Sequence, residues 1–122
     1  MLSIMTTDEI KSLYDTHVIN TYGVRKLVMA RGEGMHVWDT DGNEYLDFFA
    51  GIAVTNVGHC HPKVTQAICD QAHTLVHVSN LHLYESQAKL AALLSDNSFA
   101  DQWFFSNSGA EANEGAIKLA RR

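Results

Sequence analysis

Gln102-Trp-Phe-Phe-Ser-Asn-Ser-Gly-Ala-Glu-Ala-Asn-Glu-Gly-Ala-Ile-Lys-Leu-Ala-Arg-Arg122 passes from an apolar triplet through a turn of small residues into a helix-forming segment. Trp103, Phe104 and Phe105 are good β-formers bounded by the turn residues Ser106-Asn107-Ser108-Gly109, so the triplet reads as a strand ending at Ser106. A helix should begin near Ser108. Ser108 and Glu111 have the spacing of a capping box, in which hydroxyl and carboxylate each satisfy an orphan backbone N–H. Gly109 and Ala110 lack bulk and leave room for an anion at the positive end of the helix dipole. Two readings stand on this pattern alone: a phosphate cradle, or an ordinary capped helix behind a strand.

Working outward, Glu111 to Arg122 stays helix-forming to its last residue, without a C-cap glycine or a proline stop. A single strand followed by a capped helix belongs to an α/β sheet and needs neighbours to pair with. Both features make the expectation a fragment, with partner strands lying downstream or in another chain. Upstream, helices are expected over Thr6 to Asn20 (capped by Thr6 and Glu9), Pro62 to about Val76, and Glu85 to about Ser95. Val24 to Phe49 reads as antiparallel β-structure, with Met35–Asp39 and Glu44–Phe49 joined through an Asp41-Gly42 turn. The Asp39-Thr-Asp-Gly-Asn43 run lacks the glycine position of a calcium loop. Ala50 to Gly58 is small and apolar, suited to close packing beside a pocket.

A chain of 122 residues with 46% hydrophobic and 19% charged residues is ordinary for a globular domain. The formal charge of −5 and the lack of a Lys/Arg cluster exclude nucleic acid and anionic membrane as main partners. No apolar run has the length of a membrane span, and Met1 to Thr7 lacks a basic, then apolar, leader pattern, so the default expectation is cytoplasmic. Cys60 and Cys69 support neither a disulfide framework nor a zinc site. His59-Cys-His61, with His73 and His77, invites a metal, but the simpler reading is histidines making turn and capping hydrogen bonds.

Four stretches in order, Trp38-Asp-Thr-Asp-Gly-Asn-Glu-Tyr-Leu-Asp-Phe-Phe-Ala-Gly-Ile-Ala-Val54, Gly58-His-Cys-His-Pro62, His77-Val-Ser-Asn-Leu81 and Phe105-Ser-Asn-Ser-Gly-Ala-Glu-Ala-Asn-Glu114, resemble the class III aminotransferases. The wording of Ala50–Val54 is most similar to the acetylornithine branch. The resemblance implies an α/β fold, the fold type I of pyridoxal-phosphate enzymes, with residues 1–58 as an N-terminal segment of the small domain and 59–122 opening the large cofactor domain. It implies pyridoxal 5'-phosphate as cofactor, its phosphate held by Gly109 and Ala110 with Ser108 capping the helix, and Ile52 and Leu83 at the substrate entrance. The implied reaction moves an amino group between N-acetylornithine and 2-oxoglutarate, in a homodimer. Succinylornithine, ornithine and 4-aminobutyrate stay open as amino donors, as does a non-catalytic remnant.

The sequence departs from the family at His82-Leu-Tyr-Glu-Ser86, where relatives carry aromatics and a proline, and at Gly115, a helix-interior glycine expected to cost about 1 kcal/mol. The family's cofactor-holding lysine lies downstream, and Lys11, Lys26, Lys63, Lys89 and Lys118 match none of its positions. No catalytic residue is therefore assigned, and the chain by itself is expected to be inactive.

Overall fold

The computed structural model describes residues 5–23 and 26–122. Val24, the expected start of the β-structure, and Met1 to Ile4, within the stretch read for a leader, lie outside the described residues. The chain divides into two compact units, the first running to Thr74 and the second comprising Leu75–Arg122.

The first unit opens with α1 (Thr7–His17). Its capping box forms as expected: the Thr6 hydroxyl accepts from Glu9 N–H and the Glu9 carboxylate accepts from Thr6 N–H at 2.8 Å. The Thr7 hydroxyl donates to Asp41 Oδ1 at 3.0 Å and is itself hydrogen-bonded by Thr40, which ties the helix start to a turn of the sheet. That sheet is a three-stranded antiparallel meander of β1 (Met29–Glu33), β2 (His36–Asp39) and β3 (Glu44–Leu46), in the order β1-β2-β3. On one face Arg31 lies 3.5 Å above the Trp38 ring, and His36 stacks with Trp38 at a ring-centroid distance of 6.0 Å and bonds Glu44 at 2.6 Å.

The β2–β3 connection is organised by Asp39. Gly42 N–H donates to Asp39 O at 3.1 Å, and Gly42 takes φ +85°, so one residue in the left-handed region suffices where the Asp-Gly signal allowed two. Asp39 Oδ1 accepts from Asp41 and Asn43 N–H, and Oδ2 from the Asn43 amide and the Tyr45 hydroxyl at 2.8 Å. With four donors converging on it, Asp39 is the one buried residue among those described.

β3 stops at Leu46, short of the expected Phe49, because Asp47 turns the chain: its Oδ1 accepts from Phe49 and Ala50 N–H, both at 2.9 Å. There follows α2 (Ala50–Ala53), a single turn with φ of +48° at Ala50, +61° at Gly51, +61° at Ile52 and +60° at Ala53. Its hydrogen bonds are internal, with Phe49 O accepting from Ile52 and Ala53, and Ala50 O from Val54 and Thr55. A left-handed turn of L-residues costs roughly 1–2 kcal/mol per non-glycine position, and a β-branched residue such as Ile52 is an outlier there. α3 (Pro62–Thr74) completes the unit, starting on its proline as expected.

The second unit holds α4 (Glu85–Asp96) and α5 (Gly109–Ala120). The expected strand at Trp103–Ser106 does not form: residues 102–106 join no ladder, because no neighbouring strand in this unit offers the backbone partners that define one. Side chains hold the segment instead. Trp103 Nε1 donates to Ser95 Oγ at 3.0 Å, and that hydroxyl donates to Asp101 O. Phe104 lies against α5, where a Cβ on Gly115 would come within 2.8 Å of its exposed ring. Among the described residues no helix is long and apolar enough to cross a membrane.

Candidate functional site

Ser108 is the N-cap of α5, with extended backbone at φ −153° and ψ 160°, and its hydroxyl accepts from Glu111 N–H at 3.3 Å. The return half of the expected capping box is shifted. Glu111 Oε2 accepts from Asn107 N–H at 2.7 Å, one residue before the cap, while Ser106 Oγ donates to Ser108 O at 3.2 Å. These bonds fix the turn from both sides. They leave Gly109 and Ala110 N–H without an acceptor among the described residues, at the positive end of α5. A Cβ placed on Gly109 would meet nothing within 4 Å, so open space lies where a group could approach. Two orphan donors, a fixed cap and open space match what a phosphate needs, and the residues present fit that group.

Ser108, Gly109 and Ala110 are therefore brought together as one donor cluster. Leu83 is not part of it. It sits in a turn where Ser79, at φ +63°, accepts from His82 N–H through its carbonyl and from Leu81 N–H through its hydroxyl, just before α4, and its side chain is wholly exposed. The twelve residues of α4 place roughly 18 Å between Leu83 and the far end of that helix, where Ser95 meets Trp103. Ile52 belongs to the first unit and is exposed on its left-handed turn.

Sequence reasoning did not single out Asp47, yet three donors converge on it. Besides the two backbone N–H groups, its Oδ2 pairs with His59 Nε2 at 2.6 Å, both side chains being largely shielded. Asp47 is held below its ordinary carboxylate value chiefly by the His59 bond, then by Phe49 and Ala50 N–H. An ionised carboxylate only accepts, so His59 Nε2 carries the proton. The available signal was an aspartate just before small residues, the pattern of a side chain bonding its own backbone two or three positions on. His59 was expected to make a turn or capping bond, and its ring instead bonds a carboxylate twelve residues away.

The family model described as aminotransferase class-III matches residues 19–122. An acetylornithine aminotransferase from Caldanaerobacter subterraneus subsp. tengcongensis is 56% identical over 106 residues, covering 87% of this chain and 27% of the relative. Among solved structures, an acetylornithine aminotransferase from Elizabethkingia anophelis superposes with TM-score 0.89 at 33% identity over 97% of this chain and 31% of that one. A taurine:2-oxoglutarate aminotransferase from Bifidobacterium kashiwanohense, in complex with PLP and glutamate, does so with TM-score 0.89 at 31% identity over 98% of this chain and 28% of its own. The chain spans between about a quarter and a third of the length of these relatives.

Proposed function

This chain belongs to the class III aminotransferases and has the fold of the N-terminal part of their fold type I architecture, and on that premise we propose that the whole protein exchanges an amino group between N-acetylornithine and 2-oxoglutarate. The observation that carries the substrate reading is the 56% identity to an acetylornithine aminotransferase across 87% of the chain. Structural likeness is silent on the donor, since a taurine:2-oxoglutarate aminotransferase superposes as well as an acetylornithine one. In this reading residues 1–58 belong to the small domain and 59–122 open the large one. The protein works in the cytoplasm as a homodimer, a reading supported by the family resemblance.

Pyridoxal phosphate, when bound, supplies an electron sink that lets an amino group leave one carbon skeleton and join another. Gly109 and Ala110 N–H groups donate to its phosphate, and Ser108 orients them by capping the helix. Glu111 has its carboxylate turned onto Asn107 N–H. Ile52 and Leu83 bound the substrate entrance. A second amino donor, succinylornithine, ornithine or 4-aminobutyrate, is separated from the first by direct assay.

The test is glutamate production by the whole protein from 2-oxoglutarate with each of the four donors in turn. N-acetylornithine should give the highest kcat/KM. A higher value with another donor would move the assignment to that donor, and no glutamate from any would end the aminotransferase reading of the whole protein.

A further inference from the structure

The loop from Phe48 to Gly58 leaves the sheet and returns to the same spot. At its start, Asp47 N–H donates to Met35 O at 2.8 Å; at its end, His59 and Gly34 exchange two backbone bonds, of 2.7 and 2.9 Å. Both stems are thus pinned to the β1–β2 turn, and the Asp47–His59 bond of 2.6 Å closes the loop across its base. The fit is tight. A Cβ on Gly58 would stand 3.0 Å from Gly34 Cα, and one on Gly32 would stand 2.7 Å from His59 Cγ. Stems that meet make this segment a closed surface loop held by a rigid base, the kind of loop on which binding residues are often carried.

The side chains face the other way. Phe48, Phe49, Ile52, Val54 and Val57 all point largely into solvent, while the polar groups of Asp47 and His59 are spent at the base. The left-handed turn at 50–53 therefore stores strain without burying its apolar residues within its own unit. Strain of this kind persists only where its surroundings over-determine it, and it concentrates where a side chain must be presented.

We propose that Asp47 and His59 act as positioning residues for amino-donor recognition, clasping the stems of the 48–58 loop so that its left-handed turn presents Ile52 in one conformation. Neither touches the donor. The inference rests on the proposed placement of Ile52 at the substrate entrance.

The experiment compares the whole protein with its His59→Ala, His59→Gln and Asp47→Asn variants, using N-acetylornithine as donor. His59→Ala should raise the donor KM about tenfold with kcat changed less than about twofold, and with the absorbance and affinity of bound pyridoxal phosphate unmoved. His59→Gln keeps an N–H in reach of Asp47 and should recover most of the lost affinity. An unchanged KM in His59→Ala would overturn the proposal, as would a raised KM accompanied by falls in kcat and cofactor affinity, which marks general damage. Should His59→Ala not fold, Asp47→Asn is judged by the same ratio. If the parent protein transaminates none of the four donors, the functional reading fails separately, and the clasp is then judged by hydrogen exchange at Phe49 and Ala50 N–H. Protection in the parent that is lost in the variant upholds the clasp; equal exchange refutes it.

Discussion

Two glycines show how the neighbour, and not the glycine, sets the consequence of adding a methyl group. At Gly32 the new Cβ meets the root of the His59 side chain, whose backbone is bonded twice to Gly34 and whose ring is held by Asp47. Nothing there can give, and Gly32→Ala is expected to lower the stability of the whole protein by about 1–3 kcal/mol in urea unfolding. At Gly115 the new Cβ meets the far edge of Phe104, a largely exposed ring free to swing. The helix preference gained, about 1 kcal/mol, offsets the shift, so Gly115→Ala should fall within about 0.5 kcal/mol of the parent. Ile52→Gly removes a β-branched residue from the left-handed region at the price of a freer unfolded chain, and should raise Tm, for a net gain of roughly 0.5–1 kcal/mol. The closeness of Gly115 to Phe104 could not be read from the sequence, because the contact appears only once α5 is placed.

At the scale of elements, local chemistry was legible and long-range pairing was not. The starts of α1, α3 and α5 fall at the residues whose capping and proline signals mark them, and α4 begins at Glu85 as expected with no side-chain cap on Tyr84. Those signals act within one helical turn, so a sequence window contains them whole. The missing strand at Trp103–Ser106 depends on ladder partners that its unit does not hold, whereas the early end of β3 follows from Asp47 bonding its own backbone two and three residues on. The donor cluster at Ser108–Ala110 was legible for the first reason, and the Asp47–His59 clasp was hidden because its partners stand twelve residues apart. The hairpin carries a pH signature of its own. Asp39 is held below its ordinary value chiefly by the Asn43 amide, against the opposing effect of desolvation, and Asp47 is held low chiefly by His59. Both contributions are present in full above the unfolded aspartate value of about 3.9 and are lost as pH falls through the lower folded values. Tyr45 is raised, chiefly by its bond to Asp39, so its contribution holds below about pH 10 and is lost as pH rises through the higher folded value. The Asn43 amide resonance in NMR should stay fixed across that plateau and move at both edges; movement at neutral pH would contradict the assignment. Ser108→Ala should cost about 1 kcal/mol of helix stability and weaken pyridoxal phosphate binding in an equilibrium titration.

For the molecule as a whole, the decisive quantity is surface. No apolar residue among those described is buried. Composition pointed to a chain able to build a core, and it misled because the apolar stripes of α3, α4 and α5 have no facing layer in the described residues. The 122-residue chain by itself should bind a hydrophobic dye and melt without a cooperative transition; a sharp transition with no dye binding would contradict this. The clasp has a consequence in time as well as in space. Every group that closes it lies between Gly32 and His59. Hairpins form in about 1–10 μs, while a ribosome adds about 5–20 residues each second. The left-handed turn can therefore be set on the nascent chain before the segments that follow it have been made, and those segments then fold against a surface already shaped. In the whole protein, mutations in the clasp should accordingly slow refolding more than they hasten unfolding, a difference that separate refolding and unfolding rates show.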